Sequence, residues 1–450
     1  MTRVSWKKWL LGIFVAFLLL LQLTYLFFDV RKDTHGAAEC VTDYYVAAMM
    51  PCQEYEEPFQ LHLPDPLPVY RSGTSVFDNA AQMDIEPLYP LLLRWTYQLL
   101  SRWNVNFSII PRLLNLCFLL STWLALYFIA RRLIKDPLHA LLPPLVFGFS
   151  VETVLSLLWT NTQMLGILTA VLTLAALLRV TEAPRAKLPY LLLFLTSLGS
   201  FLADYAFVFF PFCAVAVFEI FALARRRFIS AVTVPLVTLG GILTGFLIFP
   251  AALDLFSSMK IVPVHEPYLL RLAEYCQYLY DDLFGELFVW VLALIAPSEL
   301  VLLCIRIAKS RFIHVSAESA EENGETANDA SARAEVRSAV RGTGTARAAK
   351  LSDSIIAFLI PFLSVVLFIP VLGLIPAWPA YYSYYFSVPY LIEPIVLLCS
   401  SVYCYQAICR MGAKPVVALW LSVTICLILT LSAFWYISML YNYPPLPLFT

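Results

Sequence analysis

Residues Trp9–Phe28 read WLLGIFVAFLLLLQLTYLFF, an apolar run that is long enough to cross a bilayer as a helix. Only helices satisfy their backbone hydrogen bonds internally in such a run. No small-residue cleavage site separates it from the acidic segment that follows, so we expect a retained signal anchor. The run therefore predicts a helical membrane protein that is anchored by its first span.

The composition of the whole chain agrees with this prediction. Of its 450 residues, 60% are hydrophobic and only 14% are charged, whereas soluble domains carry about 25% charged residues. The formal net charge of −1 argues against a nucleic-acid partner, which requires a strongly basic surface. We therefore expect an integral membrane protein that has no nucleic-acid partner.

The apolar runs predict an all-α polytopic protein of about eleven transmembrane helices. Basic clusters such as Arg131-Arg132 and Arg225–Arg227 alternate with acidic loops along the chain. The positive-inside rule then predicts a cytosolic N-terminus and a luminal C-terminus. The predicted spans are 9–28, 107–129, 138–157, 160–179, 188–203, 205–224, 229–254, 285–308, 353–376, 388–409 and 415–440.

The same pattern predicts the domain organisation. Residues 1–28 form a cytosolic tail and the first span, and 29–106 form a large luminal loop that we expect to be catalytic. Spans 2–8 occupy 107–308, and 351–450 hold spans 9–11 and a luminal tail. Residues 309–350 are rich in Ala, Glu, Ser, Arg and Gly and nearly free of aromatics, so we expect a disordered cytosolic insertion there.

Common cofactor and metal motifs are absent from the sequence. It contains no Walker A, no GxGxxG and no HExxH pattern. The five histidines do not form a cluster with metal-ligand spacing. We therefore predict no metal site and no bound cofactor.

The first luminal loop is the predicted place for chemistry because it is acidic and lies beside the membrane. A carboxylate there can act as general base toward a hydroxyl nucleophile. Residue pattern alone leaves two other classes open, namely a transporter with this loop as a gate and a non-catalytic subunit of a membrane complex. The sequence shows no internal repeat or paired broken helices, which argues against many transporter folds.

Several blocks resemble one family of GT-C glycosyltransferases. The turn Pro87–Pro90 with the helix-like run Leu91–Trp95, followed by Leu113-Leu114-Asn115, is similar to blocks of the PIG-V family, GPI mannosyltransferase 2. Thr42-Asp43-Tyr44-Tyr45 stands where that family has a Trp-Asp pair, so this chain departs from it at Thr42. Further similar blocks are Leu124–Tyr127, Phe147–Val151, Trp159–Thr162 and the ending Asn442–Thr450.

The resemblance implies a GT-C-like fold and an enzyme of the endoplasmic reticulum membrane with a luminal active site. The implied reaction transfers the second mannose, in α1,6 linkage, from dolichyl-phosphate-mannose to the GPI precursor with inversion. Another dolichyl-phosphate-sugar-dependent GT-C enzyme is the nearest alternative. The implied partners are the two lipid substrates, with room for a small membrane subunit.

Asp43 is the predicted general base, because it matches the family's Trp-Asp position and follows the first span. Arg71, Arg94 and Arg112 are candidates to stabilise the charge of the departing phosphate. For Arg94, an anchoring role on an amphipathic helix is an equal alternative, and for Arg112 a snorkelling role at the end of a span is slightly favoured. The predicted substrate-binding residues are Glu54, Asp84, Glu86, Tyr89, Arg94 and Asn115.

Overall fold

A computed structural model describes the parts of the chain that form the helical bundle. These parts are residues 75–78, 86–105, 109–134, 136–137, 139–148, 153, 157, 162–203, 208–225, 227–250 and 356–371, with the single positions 13, 16, 20, 23, 395, 398, 399, 402, 405 and 406. Most of them are helical, and no strand occurs among them.

Eight helices are described with their ends. They are α1 Leu88–Leu100, α2 Ile110–Leu133, α3 Leu142–Gly148, α4 Gln163–Glu182, α5 Lys187–Ala203, α6 Phe209–Ala224, α7 Phe228–Ile248 and α8 Ile356–Val371. Short 3₁₀ turns extend α1 at Ser101–Trp103 and precede α3 at His139–Leu141.

By length and composition, α2, α4 and α7 are long and apolar enough to cross a membrane, and α5, α6 and α8 are apolar but shorter. The protein is therefore a helical membrane protein, as the composition predicted. The predicted spans 285–308 and 415–440 and the insertion 309–350 lie outside the described residues, as do most positions of 9–28 and 388–409. The number eleven stays a prediction.

Helices α4 and α5 are antiparallel and joined by buried hydroxyl groups. Thr173 donates to Thr196 at 3.0 Å, and Ser200 donates to Thr169 at 3.0 Å. Residue 169 of α4 pairs with residue 200 of α5, and residue 173 pairs with residue 196. Since one number falls as the other rises, the two helices run antiparallel. In an apolar surrounding such pairs satisfy polar groups and hold the helices in register.

Helix α7 packs against the other side of α5 through two glycines. A Cβ at Gly241 would lie 2.5 Å from the carbonyl oxygen of Phe194, and a Cβ at Gly245 would overlap the ring of Phe201. The two glycines are spaced as in the GxxxG pattern, which lets helix backbones approach closely in membranes. Gly241 meets Phe194 and Gly245 meets Phe201, so residue numbers rise in the same direction along both helices. Helices α5 and α7 are therefore parallel.

Basic residues from several helices meet at one end of the bundle, which we call the basic end. Arg132 Nε lies 2.7 Å from Glu182 Oε1, and Arg179 Nη1 lies 3.0 Å from Glu182 Oε2. Arg227 donates to the carbonyl oxygen of Thr181. The C-termini of α2 and α4 and the start of α7 therefore share this end, and their directions agree with the predicted alternation of the spans.

The opposite end, which we call the α1 end, carries α1 and residues 75–78. Phe77 packs its ring on Phe249 with centroids 6.4 Å apart, just after the last residue of α7. Phe210 near the start of α6 and Phe368 near the end of α8 form an edge contact at 5.5 Å. Helices α2, α4 and α6 thus begin at the α1 end, and helices α5, α7 and α8 end there.

Candidate functional site

The predicted site residues divide into two groups in the structure. Glu86, Tyr89 and Arg94 lie in or beside α1, and Asn115 lies in α2. All of these belong to the α1 end of the bundle. Asp43, Glu54, Arg71 and Asp84 lie outside the described residues, so the proposed base and its acidic neighbours stay predictions.

Helix α1 begins earlier than the sequence predicted. The stretch Pro87–Pro90 was expected to form a turn before the helix-like run, but Leu88, Tyr89 and Pro90 are already helical. The N–H of Leu91 donates to the carbonyl oxygen of Pro87 at 3.1 Å. The prediction of a separate turn is wrong because proline fits the first helical turn, where backbone N–H groups lack helical partners anyway.

Tyr89 and Asn115 join α1 to α2. The Tyr89 hydroxyl donates to Asn115 Oδ1 at 3.2 Å, and both side chains have 0% exposure. The two residues are 26 positions apart and come from two of the blocks that resemble the family. The structure therefore brings together two residues that the sequence singled out separately, although their contact with substrate stays a prediction.

Further buried polar side chains accompany this pair. Arg112 and Gln163 are each only 5% exposed. Since α2 and α4 run parallel with Arg132 beside Glu182, a rise of about 1.5 Å per residue places residues 112–115 at roughly the depth of 162–165. The start of α4 thus adds polar groups near the level of Asn115.

Sequence reasoning considered Arg112 but missed Gln163. The available signal was modest, namely a glutamine directly after Asn161 and Thr162 at the start of an apolar run. A polar side chain at the end of a predicted span normally faces water. Only the packing of α4 against α2 shows that Gln163 is buried.

Glu86 and Arg94 lie on either side of Tyr89 in the sequence. Glu86 is half-buried just ahead of α1, and Arg94 is half-buried within it. Arg94 follows Tyr89 by five residues, so a helical step of about 100° per residue turns it roughly 140° away from the tyrosine. Arg94 therefore points away from the Tyr89–Asn115 contact, and Glu86 precedes Tyr89 by three residues.

Residues 75–78 are ordered by a capping box. The carboxylate of Asp78 accepts from the N–H of Ser75 at 2.9 Å and from its hydroxyl at 2.8 Å, and the hydroxyl accepts from the N–H of Asp78 at 3.2 Å. The hydrogen bond from the Ser75 backbone is the main cause that lowers the pKa of Asp78. A carboxylate held ionised in this way caps a turn and is poorly placed to accept a further proton.

The described residues contain no group of three or more His, Cys, Asp or Glu side chains that could hold a metal ion. The α1 end presents the hydroxyl of Tyr89, the amide of Asn115, the carboxylate of Glu86 and the guanidinium groups of Arg94 and Arg112. These groups suit the binding of hydroxyls and of a phosphate.

Compared with known proteins, the sequence matches no protein-family model and no curated protein. The resemblance to the PIG-V family therefore rests on the sequence motifs alone and stays a prediction.

Proposed function

We propose that this chain is a dolichyl-phosphate-mannose-dependent mannosyltransferase that adds the second, α1,6-linked mannose to the GPI precursor at the luminal face of the endoplasmic reticulum membrane. The observation that supports this proposal most is the hydrogen bond between Tyr89 and Asn115. Two separate blocks that resemble the same family contribute one residue each to a single buried contact.

In this mechanism Asp43 removes the proton from the acceptor hydroxyl as that oxygen attacks C1 of the donor mannose. The bond between C1 and the phosphate oxygen breaks, and dolichyl phosphate leaves with the bonding electron pair. Attack opposite the leaving group inverts the configuration at C1. Because the leaving group is already a phosphate, neither a nucleotide site nor an activating cofactor is required.

The described residues are suited to binding this donor. Arg94, half-buried in α1, and Arg112, buried in α2, are cations that can neutralise the charge of the departing phosphate. Glu86 supplies an acceptor for sugar hydroxyls, and Glu54 and Asp84, which lie outside the described residues, are predicted to supply others. The dolichol chain requires an apolar approach from the bilayer, which a bundle of apolar helices offers.

The proposal is tested in cells that lack the second GPI mannosyltransferase and accumulate the precursor with one mannose. Membranes that express this chain receive dolichyl-phosphate-[³H]mannose, and the labelled glycolipids are separated and digested with linkage-specific mannosidases. We expect a precursor with two mannoses and a new α1,6 bond. Normal expression without that product would contradict the proposal, and label on a different acceptor would favour another GT-C enzyme.

A further inference from the structure

Helix α1 presents two different surfaces away from the bundle. Its inner side buries Tyr89 and Leu93 completely. On its outer side, Trp95, Leu99 and Trp103 follow one another at four-residue spacing and are 58%, 61% and 64% exposed. We call these two tryptophans and the leucine the aromatic stripe. Beside it runs a polar stripe of Arg94, Gln98 and Arg102 at the same spacing.

The position of α1 along the bundle places these stripes near a membrane boundary. Tyr89 is bonded to Asn115, which follows the first residue of α2 by five positions, or about 8 Å along a helix axis. With 13 residues, α1 is only about 20 Å long and too short to cross the hydrocarbon core. It is therefore an accessory helix at the end of the spans.

The chemistry of the two stripes fits one kind of partner. Tryptophan is enriched where headgroups meet acyl chains, since its ring is apolar and its N–H is polar. Arginines next to such a stripe reach the phosphate groups while their methylenes stay in apolar surroundings. The segment Leu88–Asn104 contains Arg94 and Arg102 and no acidic residue, so its charge complements phosphate.

We propose that α1 is an interfacial helix whose aromatic stripe is embedded among the upper acyl carbons of bilayer phospholipids, with Arg94 and Arg102 at the phosphate level. Trp103 lies in the 3₁₀ turn Ser101–Trp103 directly after α1 and is exposed like Trp95 and Leu99. Phospholipid is thus a structural partner of the α1 end. The proposal concerns the position of α1 at the bilayer surface and does not depend on the reaction that the protein performs.

The test places the photo-reactive residue p-benzoyl-phenylalanine at position 99 of the full chain, reconstituted in phosphatidylcholine nanodiscs. Position 98 on the exposed polar stripe is the matched control. After irradiation, mass spectrometry of the peptide identifies its adducts. We expect phospholipid acyl adducts at position 99 at several times the yield at position 98. A cross-link from position 99 to another segment of this chain, or equal yields at both positions, would overturn the proposal.

A second measurement uses natural side chains and remains decisive if the labelled variants do not fold. Tryptophan emission is compared in nanodiscs with and without phospholipid brominated near the headgroup end of its acyl chains. We expect the intensity lost on bromination to fall clearly in the Trp95→Phe/Trp103→Phe double variant. If the bromine-sensitive intensity of the double variant equals that of the unchanged chain, these rings do not contact acyl chains and the proposal is wrong.

Discussion

The hydroxyl of Tyr89 lies 3.2 Å from Asn115 Oδ1, and neither side chain is exposed. A hydrogen bond of this kind between helices fixes both the depth and the rotation of α1 on α2. Rotation matters because Glu86 and Arg94 lie beside or in α1 and turn with it. The buried pair therefore positions the groups that are expected to meet the substrate.

Removing the hydrogen bond between Tyr89 and Asn115 should weaken the packing of α1 on α2. We expect Tyr89→Phe to lower the free energy of unfolding by about 1 kcal/mol, because it leaves a buried amide oxygen with one partner fewer. A double-mutant cycle with Asn115→Leu, followed by thermal unfolding in detergent, measures the coupling between the two side chains.

Tyr127→Phe on α2 is the matched control. Within the described part of the chain, the ring of Tyr127 packs against Phe128 and the core, and its hydroxyl makes no hydrogen bond. This substitution should leave the unfolding temperature nearly unchanged. Equal effects of the two Tyr→Phe changes, or a coupling of zero, would contradict the positioning role of Tyr89 and Asn115.

The contact between α5 and α7 should tolerate no side chain at Gly241. We expect Gly241→Ala to destabilise the protein by about 1–3 kcal/mol, because its Cβ would meet the backbone oxygen of Phe194 at 2.5 Å and force the helices apart. Gly240→Ala tests the same chemical change one residue earlier, where the nearest atoms lie 3.9 Å away. Unfolding in a denaturing detergent should separate the two variants, and equal stabilities would argue against close packing at Gly241.

At the basic end, we expect the loss of the Glu182 charge to destabilise the protein more than the loss of the Arg179 charge. Glu182 is the carboxylate that faces both Arg132, which is 19% exposed, and Arg179, which is 60% exposed. Glu182→Gln leaves the more buried guanidinium without its counter-ion, so we expect a loss of about 1 kcal/mol. Arg179→Gln should cost less than about 0.5 kcal/mol, as is usual for an exposed ion pair. A larger loss for Arg179→Gln, measured by thermal unfolding, would contradict this ranking.

The boundaries of the spans show what the sequence could and could not predict. Apolar runs predicted 107–129 and 160–179, whereas the helices are Ile110–Leu133 and Gln163–Glu182. Each helix continues about a turn beyond the last apolar residues, because Arg132 and Glu182 neutralise each other across the two C-termini. A span predicted from hydropathy ends near the first charged residues. A hydropathy profile cannot show that two distant charged residues such as Arg132 and Glu182 form an ion pair.

The candidate site was predictable to a similar extent. Motif resemblance singled out Tyr89 and Asn115 separately, but their contact and complete burial depend on how α1 rotates against α2. The sequence also suggested an anchoring role for Arg94. It could not show that Trp95, Leu99 and Trp103 stay exposed together, since local periodicity does not say which face of an amphipathic helix packs on the protein.

The decisive functional prediction concerns Asp43. This aspartate follows the first predicted span, lies in the acidic loop and matches the Trp-Asp position of the resembled family. General base catalysis contributes roughly 10²–10⁴ in rate, so Asp43→Asn should lower mannose transfer by about that factor. The substitution keeps the shape of the side chain, and we therefore expect unchanged expression and detergent elution.

Glu57→Gln is the control for Asp43→Asn, because it removes a carboxylate from the same loop at a position without an assigned role. A generic acidic surface would respond equally to both changes, whereas a general base makes only Asp43 essential. Transfer from dolichyl-phosphate-mannose is measured for both variants in membranes that lack the endogenous enzyme. If Asp43→Asn retains near-full activity, the base lies elsewhere, and Asp84 and Glu86 become the next candidates because they flank the start of α1, where Tyr89 holds the helix against Asn115.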